Sequence, residues 1–150
     1  PVIIERVLQG EMIALVSDAG MPAISDPGAD LVTLAIEANI PIVPLPGANA
    51  GLTALIASGM DTKRFSFIGF LPKRGKHRIA SLESLQSQEG TILLYEAPHR
   101  LQEVLEDMYQ VLGNRPITLA RELTKKFEEF TRGELKDLIE HIDDIISRGQ

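Results

Sequence analysis

Two loops rich in small residues carry the residue types in this chain that could bind a ligand. The first, residues 17–28, reads Ser-Asp-Ala-Gly-Met-Pro-Ala-Ile-Ser-Asp-Pro-Gly, and the second, residues 46–50, reads Pro-Gly-Ala-Asn-Ala. Glycines and alanines let the backbone approach a ligand closely, and glycine adopts dihedral angles that other residues avoid. Carboxylates such as Asp18 accept hydrogen bonds from amines or hydroxyls. The two loops therefore predict a site that binds a ligand largely through backbone groups.

Each loop lies between an apolar run, predicted to be a strand, and a predicted helix. The strands are residues 12–16 and 40–45, and the helices are residues 28–38 and 50–58. In open α/β sheets, ligands bind beyond the carboxyl ends of the strands. Helix N-termini also direct N–H groups toward such ligands. A loop of 12 residues after a strand is long and favours function. An ordinary turn with an aspartate N-cap has the same composition, so a structural role stays open for either loop.

The rest of the chain continues to alternate between strand and helix patterns. Further strands are predicted at residues 65–68, 91–95, 116–120 and 127–132, and further helices at residues 1–9, 78–86, 99–112 and 134–146. Such alternation is typical of an α/β protein with mainly parallel sheets. We predict two α/β units, residues 1–68 and 79–150, joined by a basic linker at residues 69–78. The chain begins inside a predicted helix, so we expect both units to be truncated and the chain to be an internal fragment.

Composition limits the classes of protein to which the chain can belong. With 150 residues, 44% of them apolar, it has enough material for a buried core. The absence of cysteine excludes disulfides and thiolate zinc sites and fits a cytoplasmic protein. The three histidines are too scattered to predict a metal site. No long uncharged apolar run predicts a membrane span or a signal peptide. The net charge of −6 argues against broad, non-specific binding of nucleic acid.

Five segments, taken in order, resemble the signatures of one enzyme family. Residues 17–28 resemble its motif S-D-A-G-T-P-x-I-S-D-P-G, and residues 44–50 resemble P-x-P-G-x-x-A. The others are Phe-Ile-Gly-Phe-Leu-Pro-Lys at 67–73, Tyr-Glu-Ala-Pro-His-Arg at 95–100 and Ala-Arg-Glu-Leu-Thr-Lys at 120–125. The chain resembles the ribosomal small-subunit RNA 2′-O-ribose cytidine methyltransferases. These enzymes are tetrapyrrole-methylase-like, or class III, S-adenosylmethionine methyltransferases. Met21 stands where that family usually has threonine.

The resemblance implies a cofactor, a partner and a set of binding residues. It implies S-adenosylmethionine bound between two α/β domains of a homodimer, with 16S ribosomal RNA in the small ribosomal subunit as the substrate. The implied cofactor-binding residues are Asp18, Gly20, Met21, Pro22, Ala23, Ile24, Ala48, Asn49, Ala50, Tyr95, Glu96, Ala120 and Arg121.

Methyl transfer to a ribose hydroxyl releases a proton, and a general base would assist this step. Glu96 and Glu122 are candidates from their location alone, and cofactor contacts or ion pairs are the alternative and favoured interpretation for both. For RNA phosphates we expect contacts from Lys73, Arg74, Lys76, Arg78 and Arg100. A solvated hinge at residues 73–78 and a simple surface pair at Arg100 are the alternatives. Aromatic residues are only 5% of the chain, which argues against a base-stacking surface.

Two other functions remain open at the level of the sequence. One is a methyltransferase that acts on tetrapyrroles, although the first loop lacks the G-D-P form of those enzymes. The other is a non-catalytic ligand-binding or dimerisation fragment. The first prediction is therefore a ribosomal RNA (cytidine-2′-O)-methyltransferase, which is inactive alone if the missing ends are essential.

Overall fold

The fold consists of two separately packed units. A computed structural model describes residues 2–147, and its contacts place the boundary between Ala50 and Gly51. In the predicted linker, residues 69–70 belong to a strand and residues 76–78 to a helix. The domain boundaries predicted after residues 68 and 78 stay predictions.

The first unit consists of two helices and the long loops that connect them. Helix α1 spans Val2–Leu8 and contacts helix α2, Ala29–Glu37. The strands predicted at residues 12–16 and 40–45 are wrong, because within residues 2–147 neither segment joins a sheet. The side chain of Met12 is fully exposed and that of Val43 is 80% exposed. An apolar run becomes a strand only where a neighbouring strand binds its backbone groups.

The second unit contains two separate pairs of strands. Strand β1, Phe65–Phe70, pairs in parallel with strand β2, Thr91–Tyr95. The register shifts between Phe67 and Gly69, a bulge at which Gly69 has a φ of 74°. Strand β3, Pro116–Arg121, pairs with strand β4, Glu129–Glu134, and this pair is antiparallel, unlike the predicted arrangement. A short connection allows only antiparallel neighbours, because a parallel pair needs a crossover of a dozen or more residues.

Five further helices are present in the described residues. They are α3, α4, α5, α6 and α7, spanning Ala50–Ser58, Lys76–Ser84, Leu101–Leu112, Leu135–Glu140 and Ile142–Ser147. A single 3₁₀ turn, Pro98–Arg100, precedes α5. Helix α5 links two apolar clusters, since Val104 packs with Leu71 and Leu82 while Leu105 packs with Leu135 and Ile142.

The α/β class predicted from the sequence is confirmed, and most predicted elements of the second unit lie within a few residues of their observed positions. The predicted helix 134–146 is interrupted at His141, yet Leu135, Leu138, Ile142 and Ile145 still form one buried face. A cavity of about 500 Å³ lies within this unit, lined by residues of α3, β2, α5 and β3. No helix among residues 2–147 is long and apolar enough to cross a membrane.

Candidate functional site

The loop of residues 17–28 adopts an unusual backbone conformation. Gly20 has a φ of 78°, and the hydroxyl of Ser17 donates a hydrogen bond to its carbonyl oxygen over 2.8 Å. Ala23 and Ser25 also have positive φ angles, 66° and 54°. A non-glycine residue in this region costs of the order of 1–2 kcal/mol, and such residues concentrate at ligand-binding sites. The strain indicates that the path of this loop is tightly specified.

The turn at residues 46–49 packs directly against this loop. A Cβ atom on Gly20 would lie 3.0 Å from the carbonyl oxygen of Ala48. A Cβ atom on Gly47 would lie 3.3 Å from Cγ of Met21. The structure thus brings together two segments that the sequence assigned to the cofactor. The predicted residues Asp18, Pro22, Ala23 and Ile24 lie on the same loop as Gly20 and Met21, and Asn49 and Ala50 follow Ala48.

Both segments leave much of their surface accessible. Asp18, Gly20, Ala48 and Ala50 are exposed, and Met21 is half-buried against the turn. Accessible backbone next to small side chains is the arrangement that close binding of a ligand requires. The first unit therefore presents accessible backbone groups at the contact between the loop and the turn.

At the carboxyl end of β2, the side chains of Tyr95 and Glu96 are fixed by contacts within the second unit. The Tyr95 hydroxyl accepts a hydrogen bond from the Gly51 amide over 3.0 Å. Its ring makes edge contacts with the rings of Phe67 and Phe70, at centroid distances of 5.2 and 5.7 Å. The bulge in β1 brings Phe67 and Phe70 to the same side. The low aromatic content of the sequence did not predict this cluster, because composition does not show which aromatic side chains contact each other in the fold.

The carboxylate of Glu96 is buried and contacts residues of the turn that follows β2. Oε1 accepts a hydrogen bond from the Ala97 amide over 2.7 Å, and Oε2 lies 3.2 Å from Nη2 of Arg100. The Glu96 side chain is only 8% exposed. Arg100, predicted to bind RNA, in turn donates hydrogen bonds to the carbonyl oxygens of Leu71 and Pro72, both over 3.2 Å. The structure therefore joins these two predicted site residues in one ion pair.

The second candidate base, Glu122, lies in the connection between β3 and β4. Its side chain is 43% exposed and accepts a hydrogen bond from Nζ of Lys125 over 3.1 Å. Its φ of 50° is again positive. The neighbouring Arg121 donates from Nε to Glu129 over 2.6 Å, and Ala120 pairs with Phe130 in the β-ladder. Arg121 is thus held within the β3–β4 hairpin.

Residues 73–77, which we call the basic loop, follow β1 and include the first two residues of α4. The side chains of Lys73, Arg74 and Lys76 are exposed. Among the described residues 2–147, no carboxylate forms an ion pair with these three cations. They form a compact group of positive charge in an acidic chain.

Arg78, another of the predicted RNA contacts, is buried instead of facing solvent. Its side chain is 2% exposed, and Nε donates to Asp107 over 2.6 Å while Nη2 pairs with Glu103. Burial alone would lower the pKa of Arg78, but the hydrogen bonds and charges of Glu103 and Asp107 outweigh burial and raise the pKa. Arg78 therefore has its charge matched inside the protein and offers no free cation to a phosphate.

Comparisons with known proteins identify the family to which the sequence is similar. A sequence model of the family described as Tetrapyrrole (Corrin/Porphyrin) Methylases matches residues 1–139. Proteins named ribosomal RNA small subunit methyltransferase I are similar over nearly the whole chain. The protein from Halalkalibacterium halodurans is 50% identical over 148 residues, covering 99% of this chain and 51% of the relative. The protein from Bacillus subtilis is 51% identical over 148 residues, with the same coverage of 99% and 51%. The protein from Synechocystis is 48% identical over 149 residues, covering 99% and 53%.

These matches have two consequences. The chain spans about half the length of the curated relatives that it matches. The family model covers most of the chain, including both loops of the first unit, the basic loop and the turn after β2. The chain belongs to the tetrapyrrole methylase family.

Proposed function

We propose that this protein takes part in S-adenosylmethionine-dependent methylation of a cytidine 2′-hydroxyl in 16S ribosomal RNA. The observation that carries the proposal is the packing of the loop of residues 17–28 against the turn of residues 46–49. Family membership implies a methyl donor, and the names of the relatives favour RNA of the small ribosomal subunit as the acceptor.

In this proposal the first unit holds the methyl donor. Backbone groups of residues 20–24 and 48–50 bind its amine and hydroxyl groups, while Met21 and Ile24 supply apolar contacts. When bound, S-adenosylmethionine would supply an electrophilic methyl group, and the ribose hydroxyl that accepts it would give its proton to a general base or to water. The protein contributes by holding the donor and the acceptor at attack distance, which is worth roughly 7–11 kcal/mol in well-oriented reactions. Contributions to cofactor binding from Tyr95, Glu96, Ala120 and Arg121 stay predictions.

We assign the two candidate carboxylates different tasks. Glu96 is bound to the Ala97 amide and lies against Arg100, so its task is to orient Arg100. Glu122 is the more accessible of the two and pairs with a single lysine, so it is the one to test as a base. A Glu122→Gln variant that retained the full methylation rate and its dependence on pH would exclude this role.

The basic loop is the proposed contact for RNA. Lys73, Arg74 and Lys76 are exposed and unpaired among the described residues, and cations of this kind supply most of the affinity for a phosphate backbone. The concentration of charge in one loop explains how a chain with a net charge of −6 can bind RNA. A cytoplasmic location and a homodimer belong to the same proposal, through the resemblance to the family.

Methyl transfer from tritiated S-adenosylmethionine to isolated small ribosomal subunits tests the proposal. We expect tritium in 16S RNA, and a triple variant Lys73→Ala, Arg74→Ala, Lys76→Ala should bind RNA with a log affinity versus log salt slope shallower by roughly 2. The control is Lys63→Ala, Arg64→Ala, Lys136→Ala, which removes the same charge from exposed positions elsewhere in the second unit. Equal losses in both triple variants would reject the basic loop as the contact. Transfer to a tetrapyrrole and not to RNA would reject the substrate.

A further inference from the structure

The segment that leads into the basic loop is held by side chains and not by regular secondary structure. Three consecutive carbonyl oxygens, those of Leu71, Pro72 and Lys73, accept hydrogen bonds from arginine side chains. Arg100 binds the first two from Nη2, and Arg78 binds the third from Nη1 over 2.8 Å. Two guanidinium groups therefore fix the path of the backbone immediately before the exposed cations.

The two guanidinium groups are themselves fixed by carboxylates. All three nitrogens of Arg78 have partners, since Nε binds Asp107, Nη2 binds Glu103 and Nη1 binds Lys73. Arg100 forms an ion pair with the buried carboxylate of Glu96, over 3.2 Å between Nη2 and Oε2, while its Nε has no hydrogen-bond partner among the described residues. Guanidinium is planar, with donors in fixed directions, so Arg78 links the loop to its two carboxylates, and Arg100 holds the loop through its two hydrogen bonds to carbonyl oxygens. Glu103 and Asp107 lie on α5, which is anchored in both apolar clusters.

The basic loop is consequently anchored at both of its ends. Leu71 and Lys73 are held at the start, and Arg78, in the first turns of α4, is buried at the end. Only residues 74–77 lie between these anchors, and their side chains remain exposed. A loop that is ordered before binding loses less conformational entropy when it binds its partner.

We propose that Arg78 and Arg100 are positioning residues that hold the basic loop in the conformation that binds RNA phosphates. This inference rests on the proposed function of the basic loop. It assigns both arginines a task different from direct contact with RNA. In this view Lys73, Arg74 and Lys76 supply the charge, and the two arginines determine where that charge is presented.

The test compares substitutions that keep the charge with substitutions that remove it. In the full-length protein, Arg100→Lys keeps the cation but loses the planar fork. We expect Arg100→Lys and Arg100→Met to weaken binding of a small-subunit RNA fragment similarly, by about tenfold. Amide hydrogen exchange of residues 73–77 should accelerate about tenfold in both. Arg64→Met is the matched control, since it removes an exposed arginine of the same unit.

Asp107→Asn and Arg78→Met test the second anchor. Asp107→Asn keeps the cation of Arg78 and provides a milder change if Arg78→Met does not fold. Both should accelerate exchange in the basic loop, whereas Arg64→Met should not. RNA affinity that is normal in Arg100→Lys but weakened in Arg100→Met would overturn the inference. That result would indicate a direct phosphate contact, because such a contact tolerates lysine. Unchanged exchange in Arg100→Met and Asp107→Asn would overturn it as well.

The proposed function and the inference fail in distinguishable ways. If the triple variant of Lys73, Arg74 and Lys76 leaves RNA affinity unchanged, the basic loop is not the RNA contact and the proposed function loses that element. If the triple variant weakens RNA binding but Arg100→Met does not, the proposed function stands and the positioning role is rejected.

Discussion

Replacement of Gly20 by alanine perturbs the contact between the two loops of the first unit at a single atom. Gly20 has a φ of 78°, and an added Cβ would lie 3.0 Å from the carbonyl oxygen of Ala48. Alanine in this region of backbone conformation costs of the order of 1–2 kcal/mol. The close approach adds a second effect, because the turn at Ala48 must move by a few tenths of an ångström to admit the methyl group.

Gly10 provides a matched control in the same unit. Its φ is also positive, at 97°, but a Cβ at Gly10 would have no atom within 4 Å. Gly10→Ala should therefore lower the free energy of unfolding by about 1–2 kcal/mol through backbone strain alone, and Gly20→Ala should lower it by at least as much. Only Gly20→Ala also displaces the proposed binding surface.

The assay is calorimetric titration with S-adenosylhomocysteine, alongside chemical denaturation. We expect Gly20→Ala to bind about tenfold more weakly than the unaltered protein, which corresponds to about 1.4 kcal/mol. Gly10→Ala should bind within about twofold of it. Equal affinity in Gly20→Ala and the unaltered protein would refute the reasoning, and so would an equal loss of affinity in both variants.

Three further predictions concern the second unit. Arg78→Met should cost about 1–3 kcal/mol of unfolding free energy, because Glu103, one of the two carboxylates that it leaves behind, is 59% exposed. The pKa of Arg78 is raised, so its contribution persists until strongly alkaline pH, and a loss that shrinks between pH 7 and pH 10 would contradict this. Tyr95→Phe leaves the Gly51 amide at the start of α3 unpaired and should lower the free energy of unfolding by about 1–3 kcal/mol. In the same denaturation experiment the control Tyr109→Phe, at a half-exposed position, should lower it by less than about 0.5 kcal/mol. Leu82→Ala should lower stability by about 2–5 kcal/mol, since Leu82 is fully buried, and a loss below about 1 kcal/mol would contradict the assigned core.

Local patterns predicted most of the second unit. The strand predicted at residues 91–95 coincides with β2, and the helix predicted at residues 99–112 overlaps α5. Similar runs at residues 12–16 and 40–45 do not form strands, because a strand also needs a partner and periodicity does not identify one. The antiparallel direction of β4 follows from its short connection to β3. The prediction of parallel strands considered only the alternation of strands and helices and not the length of this connection.

Part of the candidate site was accessible to sequence reasoning and part was not. The loops of residues 17–28 and 46–50 could be assigned to one site from their small residues and their resemblance to a family. The partners of Arg78 could not be found, because Glu103 and Asp107 lie 25 and 29 residues farther along the chain on another helix. Charge clustering suggested that Arg78 faces solvent, whereas burial depends on tertiary contacts that composition does not reveal.

A crystal structure of the full-length protein with S-adenosylhomocysteine bound would show directly whether the first unit holds the methyl donor. We expect the ligand's amine and hydroxyl groups to contact backbone atoms of residues 20–24 and 48–50. Ligand density elsewhere, with both of these segments free of contact, would contradict it.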